Sequence, residues 1–221
     1  MKKIIIAASL LATSLSLMPA AVLAQDSGFS LGVRAAYAVP FGKAGDGTNL
    51  SDLAKGAVPV QIDADYRFTP EWLLGVSFAY GPVLIADESK RALEATGLSD
   101  VGGHRQQVLS VQVVRHFNTG GAFQPWVGLS GGYEWTRFAG AKLPSGNETE
   151  IGRAGMAGAI TIGADYTVSP RVTVGPYVAV DLGRYGRNLV WVEDGDTSSS
   201  SIDDKGLHQW VRAGVKLSWR F

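Results

Sequence analysis

Three histidines, three serines and a run of carboxylates are the residues whose types could do chemistry in this chain. Acyl transfer needs a hydroxyl nucleophile beside a base that a third group orients. His104, His116 and His208 are the available bases and Ser110, Ser130 and Ser218 the nearest hydroxyls, yet none stands in a close His-x-Ser spacing. The three serines alternate with apolar neighbours, so they read as hydrogen-bonding filler of a polar interior, and no catalytic residue is assigned. Glu193, Asp194, Asp196, Asp203 and Asp204, split by the serines from Ser198 to Ser201, carry oxygens that suit calcium. They lack regular ligand spacing and a closing bidentate glutamate, so they read as a solvated acidic tip with neither metal nor cofactor. The chain has no cysteine, which removes disulfide, thiolate-metal and thiol-nucleophile chemistry together.

These residues need elements to position them, and the elements have a period of two. The first residues, with Lys2 and Lys3 ahead of an uncharged apolar run that ends at Val22-Leu23-Ala24, form a signal peptide with expected cleavage after Ala24. From Gln25 to Phe221 eight segments alternate apolar and polar side chains. The second, for example, sets Val58, Val60, Ile62, Ala64, Tyr66 and Phe68 against Gln61, Asp63, Asp65 and Arg67. The eighth sets Val211, Ala213, Val215, Leu217, Trp219 and Phe221 against Arg212, Gly214, Lys216, Ser218 and Arg220. The fourth breaks pattern, because Val114 and Arg115 reverse the expected order; a β-bulge is expected there. Short turns follow the second, fourth and sixth segments, whereas roughly 14 to 24 residues follow the first, third, fifth and seventh, the asymmetry of outer-membrane barrels. Residues 87–96 in the second long connection predict a short helix with Asp87 as cap and Gly97 as terminator. In the fourth, Leu189, Val190 and Trp191 predict strands that continue above the membrane before they turn.

Which face looks inward follows from the aromatics. Tyr66, Phe68, Trp72, Phe117, Phe123, Tyr166, Trp219 and Phe221 cluster near the short turns, and Tyr37, Phe78, Tyr80, Tyr133 and Trp135 toward the long connections. Two aromatic girdles around aliphatic residues match a lipid-facing belt. The opposite faces carry Arg34, Asp63, Asp65, Arg67, Glu134, Asp165, Asp181, Arg212, Lys216 and Arg220. Eight strands leave little bore, so these charges are expected to fill the lumen as a mutually neutralising network. Counting from the short turns groups Asp181 and Arg212 with Glu134, and Arg34 and Asp63 with Lys216. The whole chain has 20 basic and 20 acidic residues, and without Lys2 and Lys3 the balance is 18 to 20. That near-neutrality argues against a nucleic-acid partner.

Residues Pro125 to Tyr133, Gly163-Ala164-Asp165-Tyr166 with Ser169-Pro170-Arg171, and the terminal Trp219-Arg220-Phe221 carry a resemblance. With them the chain resembles the small eight-stranded outer-membrane barrels that include the OmpA transmembrane domain and OmpX-type proteins. The resemblance implies an antiparallel up-and-down transmembrane barrel with short periplasmic turns, long extracellular loops and no cofactor. It also implies outer-membrane lipid and lipopolysaccharide as surroundings, and a barrel-assembly machinery that reads Phe221 with Leu217 and Trp219. Lys216 stands where such strands often carry glycine, with Gly214 two residues earlier. Some barrels of this size modify lipid A, but the histidines here lack the spacing of those deacylases. The expected function is therefore noncatalytic, in envelope integrity or surface interaction, with a narrow channel as the alternative. No peptidoglycan-binding segment is expected after the last strand.

Overall fold

The computed structural model describes residues 28–45, 47–95, 99–100, 103–142, 148–192 and 197–221. The segment expected to be cleaved lies outside them, as do Gly97, Glu193, Asp194 and Asp196. Eight long strands form the wall: β1 (Gly28–Gly45), β4 (Val60–Arg67), β5 (Trp72–Ile85), β7 (Arg105–His116), β8 (Phe123–Lys142), β9 (Glu148–Ser169), β10 (Val172–Val192) and β12 (Leu207–Arg220). Between them lie β2 (Thr48–Asn49), α1 (Leu50–Leu53), β3 (Ala54–Ala57), α2 (Asp87–Ala95), β6 (Ser99–Asp100) and β11 (Ser198–Ser201). Each wall strand pairs antiparallel with its sequence neighbours, and β1 pairs with β12 from Ser30↔Arg220 to Gly42↔His208, closing the ring. Closure leaves no wall strand with an unpaired edge, which a bilayer requires of any sheet that crosses it.

The burial pattern is that of a soluble protein turned inside out. Leu31, Ile62, Leu74, Leu109, Val111, Leu129, Ile160, Ile162, Val215 and Leu217 are all about half exposed on the outer face. Arg34, Gln61, Asp63, Asp65, Gln112, Glu134, Asp165 and Lys216 are buried within. Apolar side chains gain nothing from facing water, so this surface belongs against hydrocarbon. The short turns are built locally. Asn118 adopts a left-handed conformation (φ 56°), which asparagine tolerates better than most residues, and its Nδ2 donates to the Phe123 carbonyl across the turn.

Several expectations need correction. The register of β7 is unbroken through Val114 and Arg115, so no bulge lies there. Val114 faces the lumen in a cluster with Leu73, Trp126 and Tyr177, while Arg115 faces outward at the short-turn rim, where it pairs with Glu71 (3.1 Å) and lies over the Trp72 and Phe117 rings. At headgroup depth a guanidinium on the lipid side is tolerable. Register shifts on the wall strands fall instead on β1 between Lys43 and Gly45, on β8 between Arg137 and Ala139, and on β10 between Val172 and Thr173 and between Tyr185 and Arg187. The third long connection is mostly strand, since β8 runs to Lys142 and β9 starts at Glu148. A tilted strand crosses hydrocarbon in roughly 9–11 residues, so β8, β9 and β10, of 20, 22 and 21 residues, rise well above the membrane. Asp87 is not a cap but the first residue of α2. Its carboxylate meets Lys55 Nζ at 2.5 Å, and that hydrogen bond and charge hold it below the ordinary carboxylate range.

Candidate functional site

The lumen is a stack of polar clusters. At the short-turn mouth, Arg220 donates to Gln124 Oε1 (3.0 Å), Gln124 donates to the Thr119 and Gly121 carbonyls, and Arg67 donates to the Pro70 carbonyl. Arg67 and Arg220 thus line an open vestibule rather than the interior. Deeper, Asp165 accepts from Trp126 Nε1 (2.8 Å) and Lys216 Nζ (3.2 Å), with His116 Nε2 at 3.3 Å. Lys216 also lies 4.6 Å from the centre of the Trp126 ring, a cation–π contact.

At the next level Arg34 Nε meets Asp63 Oδ2 at 2.6 Å, and its Nη2 donates to Gln112 Oε1 (3.2 Å). The guanidinium carbon lies 5.3 Å and 5.6 Å from the Trp126 and Tyr177 ring centres. Gln112 passes the chain on to Asp65 (2.8 Å), and Gln61 donates to Asp63 (2.7 Å) while accepting from Arg212 (3.1 Å). Arg212 faces Asp181 through two atoms, Nη2–Oδ1 at 2.7 Å and Nε–Oδ2 at 2.6 Å. Ser110 shares a hydrogen bond with Ser77 (2.7 Å). Each buried charge here has an opposite charge or amide beside it, as burial demands.

Above these, Glu134 Oε1 accepts from Gln106 (2.9 Å), Thr136 (2.8 Å) and Tyr185 (2.8 Å), and Oε2 lies 3.0 Å from His208 Nε2. The His208 ring stacks on Tyr185 at 3.9 Å. Two glycines make this arrangement possible. A side chain on Gly183 would occupy the place of the His208 ring, and one on Gly163 the place of the Trp126 ring. The lumen is then capped by apolar residues: Leu50 from α1, Ala57 from β3, Ile202 from the last long connection, and Ala38, Val83, Phe138 and Trp210 from the wall.

The grouping differs from the expected one. Arg212 and Asp181 meet, but Glu134 belongs with His208 and Tyr185; Arg34 and Asp63 meet, but Lys216 belongs with Asp165. Strand-end counting ignores barrel shear, which offsets neighbouring strands along the axis. Trp126, Tyr177, Tyr185 and Trp210 are not among the residues expected in the interior, which are the charged ones. All four are buried. The signal that finds them is their even or odd place relative to Glu134, Asp181 and Arg212 on the same strands.

Neither His116 nor His208 is set in a hydrolytic triad. His116 and His208 each meet a carboxylate through Nε2, and neither Nδ1 has a hydrogen-bond partner, so no serine hydroxyl engages either ring. No group of three metal-ligating side chains occurs among the described residues. The cavity left between Arg34, Gln61, Ser77, Gln112 and Arg212 is about 40 Å³, room for only a few waters.

No family model matches the chain, and no curated protein matches it. Among solved structures it is similar to Neisserial surface protein A, with 13% identity and a TM-score of 0.55 over 88% of this chain and 99% of that one. It is also similar to a major outer membrane protein from Thermus thermophilus, with 16% identity and a TM-score of 0.56 over 88% and 99%. The chain folds as a closed eight-stranded antiparallel β-barrel, the architecture of these two proteins. At these identities the likeness concerns architecture, and it agrees with the closed ring and the inverted burial described above. In this barrel Leu217, Trp219 and Phe221 stand outward on the closing strand, 51%, 49% and 73% exposed, with Phe221 N donating to the Phe29 carbonyl. All three therefore present apolar surface at the seam, where an outside factor or lipid would meet them.

Proposed function

We propose that this protein is a noncatalytic integral barrel of the outer membrane that supports envelope integrity or surface contact through its long-loop end. The lumen serves as a polar core that locks the wall strands together. The observation that carries this reading is Glu134, surrounded by Gln106, Thr136, Tyr185 and His208 directly beneath the apolar cap. Both oxygens of this carboxylate are held by buried neighbours, and the apolar cap closes over the group. Export of the chain from residue 25 onward and recognition of Leu217, Trp219 and Phe221 by the assembly machinery complete the proposal.

A narrow ion path is the second reading, favoured by the small charged cavity around Arg34 and Arg212. Planar-bilayer recording separates the two. Electrical silence is expected of the folded protein, and steady conductance that changes in Arg212→Ala would favour the channel. In cells, deletion should alter detergent sensitivity or adhesion and leave the lipid A mass spectrum unchanged.

A further inference from the structure

The outward rim above the lipid belt holds arginines of two kinds. Arg105 and Arg137 sit opposite each other on β7 and β8, and both pair with Glu150, Arg105 at 3.7 Å; Arg137 also lies 4.1 Å from the Trp191 ring centre. Arg184 and Arg187 on β10 are exposed, and among the described residues no carboxylate pairs with either. Arg184 Nε donates to the Lys205 carbonyl (3.1 Å), which roots the guanidinium and leaves its Nη groups without a partner among the described residues. Lys205 itself is exposed beside it, with Asp203 and Asp204 preceding it in the loop.

Register fixes what lies below. Arg184 stands between Met156 and Leu207, which are 66% and 53% exposed, with Leu182 (40%) one step down the same face. Arg187 stands beside Ala154, itself opposite Trp135 on the aromatic girdle. Guanidinium groups at this depth favour anionic headgroups, and phosphate matches their paired donors. The arginines stand at the edge of the apolar outer face, so a membrane lipid brings its phosphate to them with its acyl chains against Met156, Leu182 and Leu207. The two arginines, with one extra bulge residue between them, lie roughly 7–10 Å apart along the strand, which suits two phosphates on one headgroup.

We propose that the outward face of β9 and β10 at the long-loop end, through Arg184 and Arg187, holds a diphosphorylated glycolipid of the outer leaflet. This rests on the outer-membrane reading above and adds a site to it. The test uses the folded full barrel released from detergent micelles in native mass spectrometry, with bis-phosphorylated lipid A, its dephosphorylated form and phosphatidylglycerol as probes. Wild type and Arg171→Gln, a control at the short-turn end, should retain bis-phosphorylated lipid A equally. Arg184→Gln/Arg187→Gln should lose roughly 10- to 30-fold in retention, and the dephosphorylated probe should bind wild type no better than that variant binds lipid A. Equal retention by the double variant, or equal binding of the dephosphorylated probe or of phosphatidylglycerol, overturns the proposal. Heat-shifted gel mobility verifies folding, and the two single variants carry the same comparison if the double one fails it. Recovered lipid A is also weighed: a changed mass would overturn the noncatalytic reading and leave the binding comparison standing.

Discussion

Replacing Asp165 by alanine would strip the partner from three buried groups at once. Lys216 Nζ, Trp126 Nε1 and His116 Nε2 all lie within 3.3 Å of its carboxylate, and Asp165, Lys216, His116 and Trp126 are all nearly inaccessible. At the Lys216–Asp165 separation of 3.2 Å, an effective dielectric of about 20 gives roughly 5 kcal/mol of attraction. Removing one member of a buried pair costs about 3–5 kcal/mol, because the remaining charge stays desolvated. The small lumen cavity admits few waters, and the Trp126 ring offsets only part of the loss. Asp165→Ala is therefore expected to destabilise the barrel by about 3–5 kcal/mol. Lys216→Met added to it should recover at least about 2 kcal/mol, since the orphaned ammonium is then gone. The assay is urea unfolding in lipid vesicles, followed by tryptophan fluorescence. Additivity of the two substitutions within about 0.5 kcal/mol would refute the coupling, and so would a loss below about 1 kcal/mol for Asp165→Ala alone.

Other perturbations test other levels of the stack. Removing Phe221 should lower the outer-membrane yield while the lumen contacts of any inserted barrel persist; normal yield, measured by fractionation, would defeat its assembly role. Trp210→Ala should leave a void under the cap and cost about 3–5 kcal/mol, read in the same unfolding assay. Gly183→Ala places a methyl group where the His208 ring lies, so the ring must leave Glu134 at a cost of about 1–3 kcal/mol. The ring NMR shifts of Tyr185 and His208 should move together, and unchanged shifts would contradict the packing.

Much of the wall was legible in the sequence because alternation and strand closure obey the same period. Leu31, Val33 and Arg34 on β1, or Ile62 and Asp63 on β4, declare their faces without reference to any other strand. Partners across the lumen were not legible. That His116 meets Asp165, 49 positions away, depends on strand tilt and stagger, which no local pattern encodes. Inward aromatics went unnamed because charge alone marked the interior. Trp126 and Tyr185 each bring one polar atom to a buried carboxylate, so their amphipathic rings serve inside as they would at a headgroup. Arg115 misled, since a cation at the rim of a belt does not obey the rule for its middle.

The bulge between Tyr185 and Arg187 shifts the phase of β10. On β10 the odd-numbered Asp181, Gly183 and Tyr185 face the lumen, but past the extra Gly186 the odd-numbered Arg187, pairing with Ala154, faces outward. On β8 the residue at the bulge, Phe138, keeps the lumen parity of Glu134 and Thr136 and is turned into the apolar cap. Were Gly186 paired in step with its neighbours, Arg187 would look into the barrel's throat. One unpaired residue on β10 thus lets a strand that seals the interior below present a charged outer collar above.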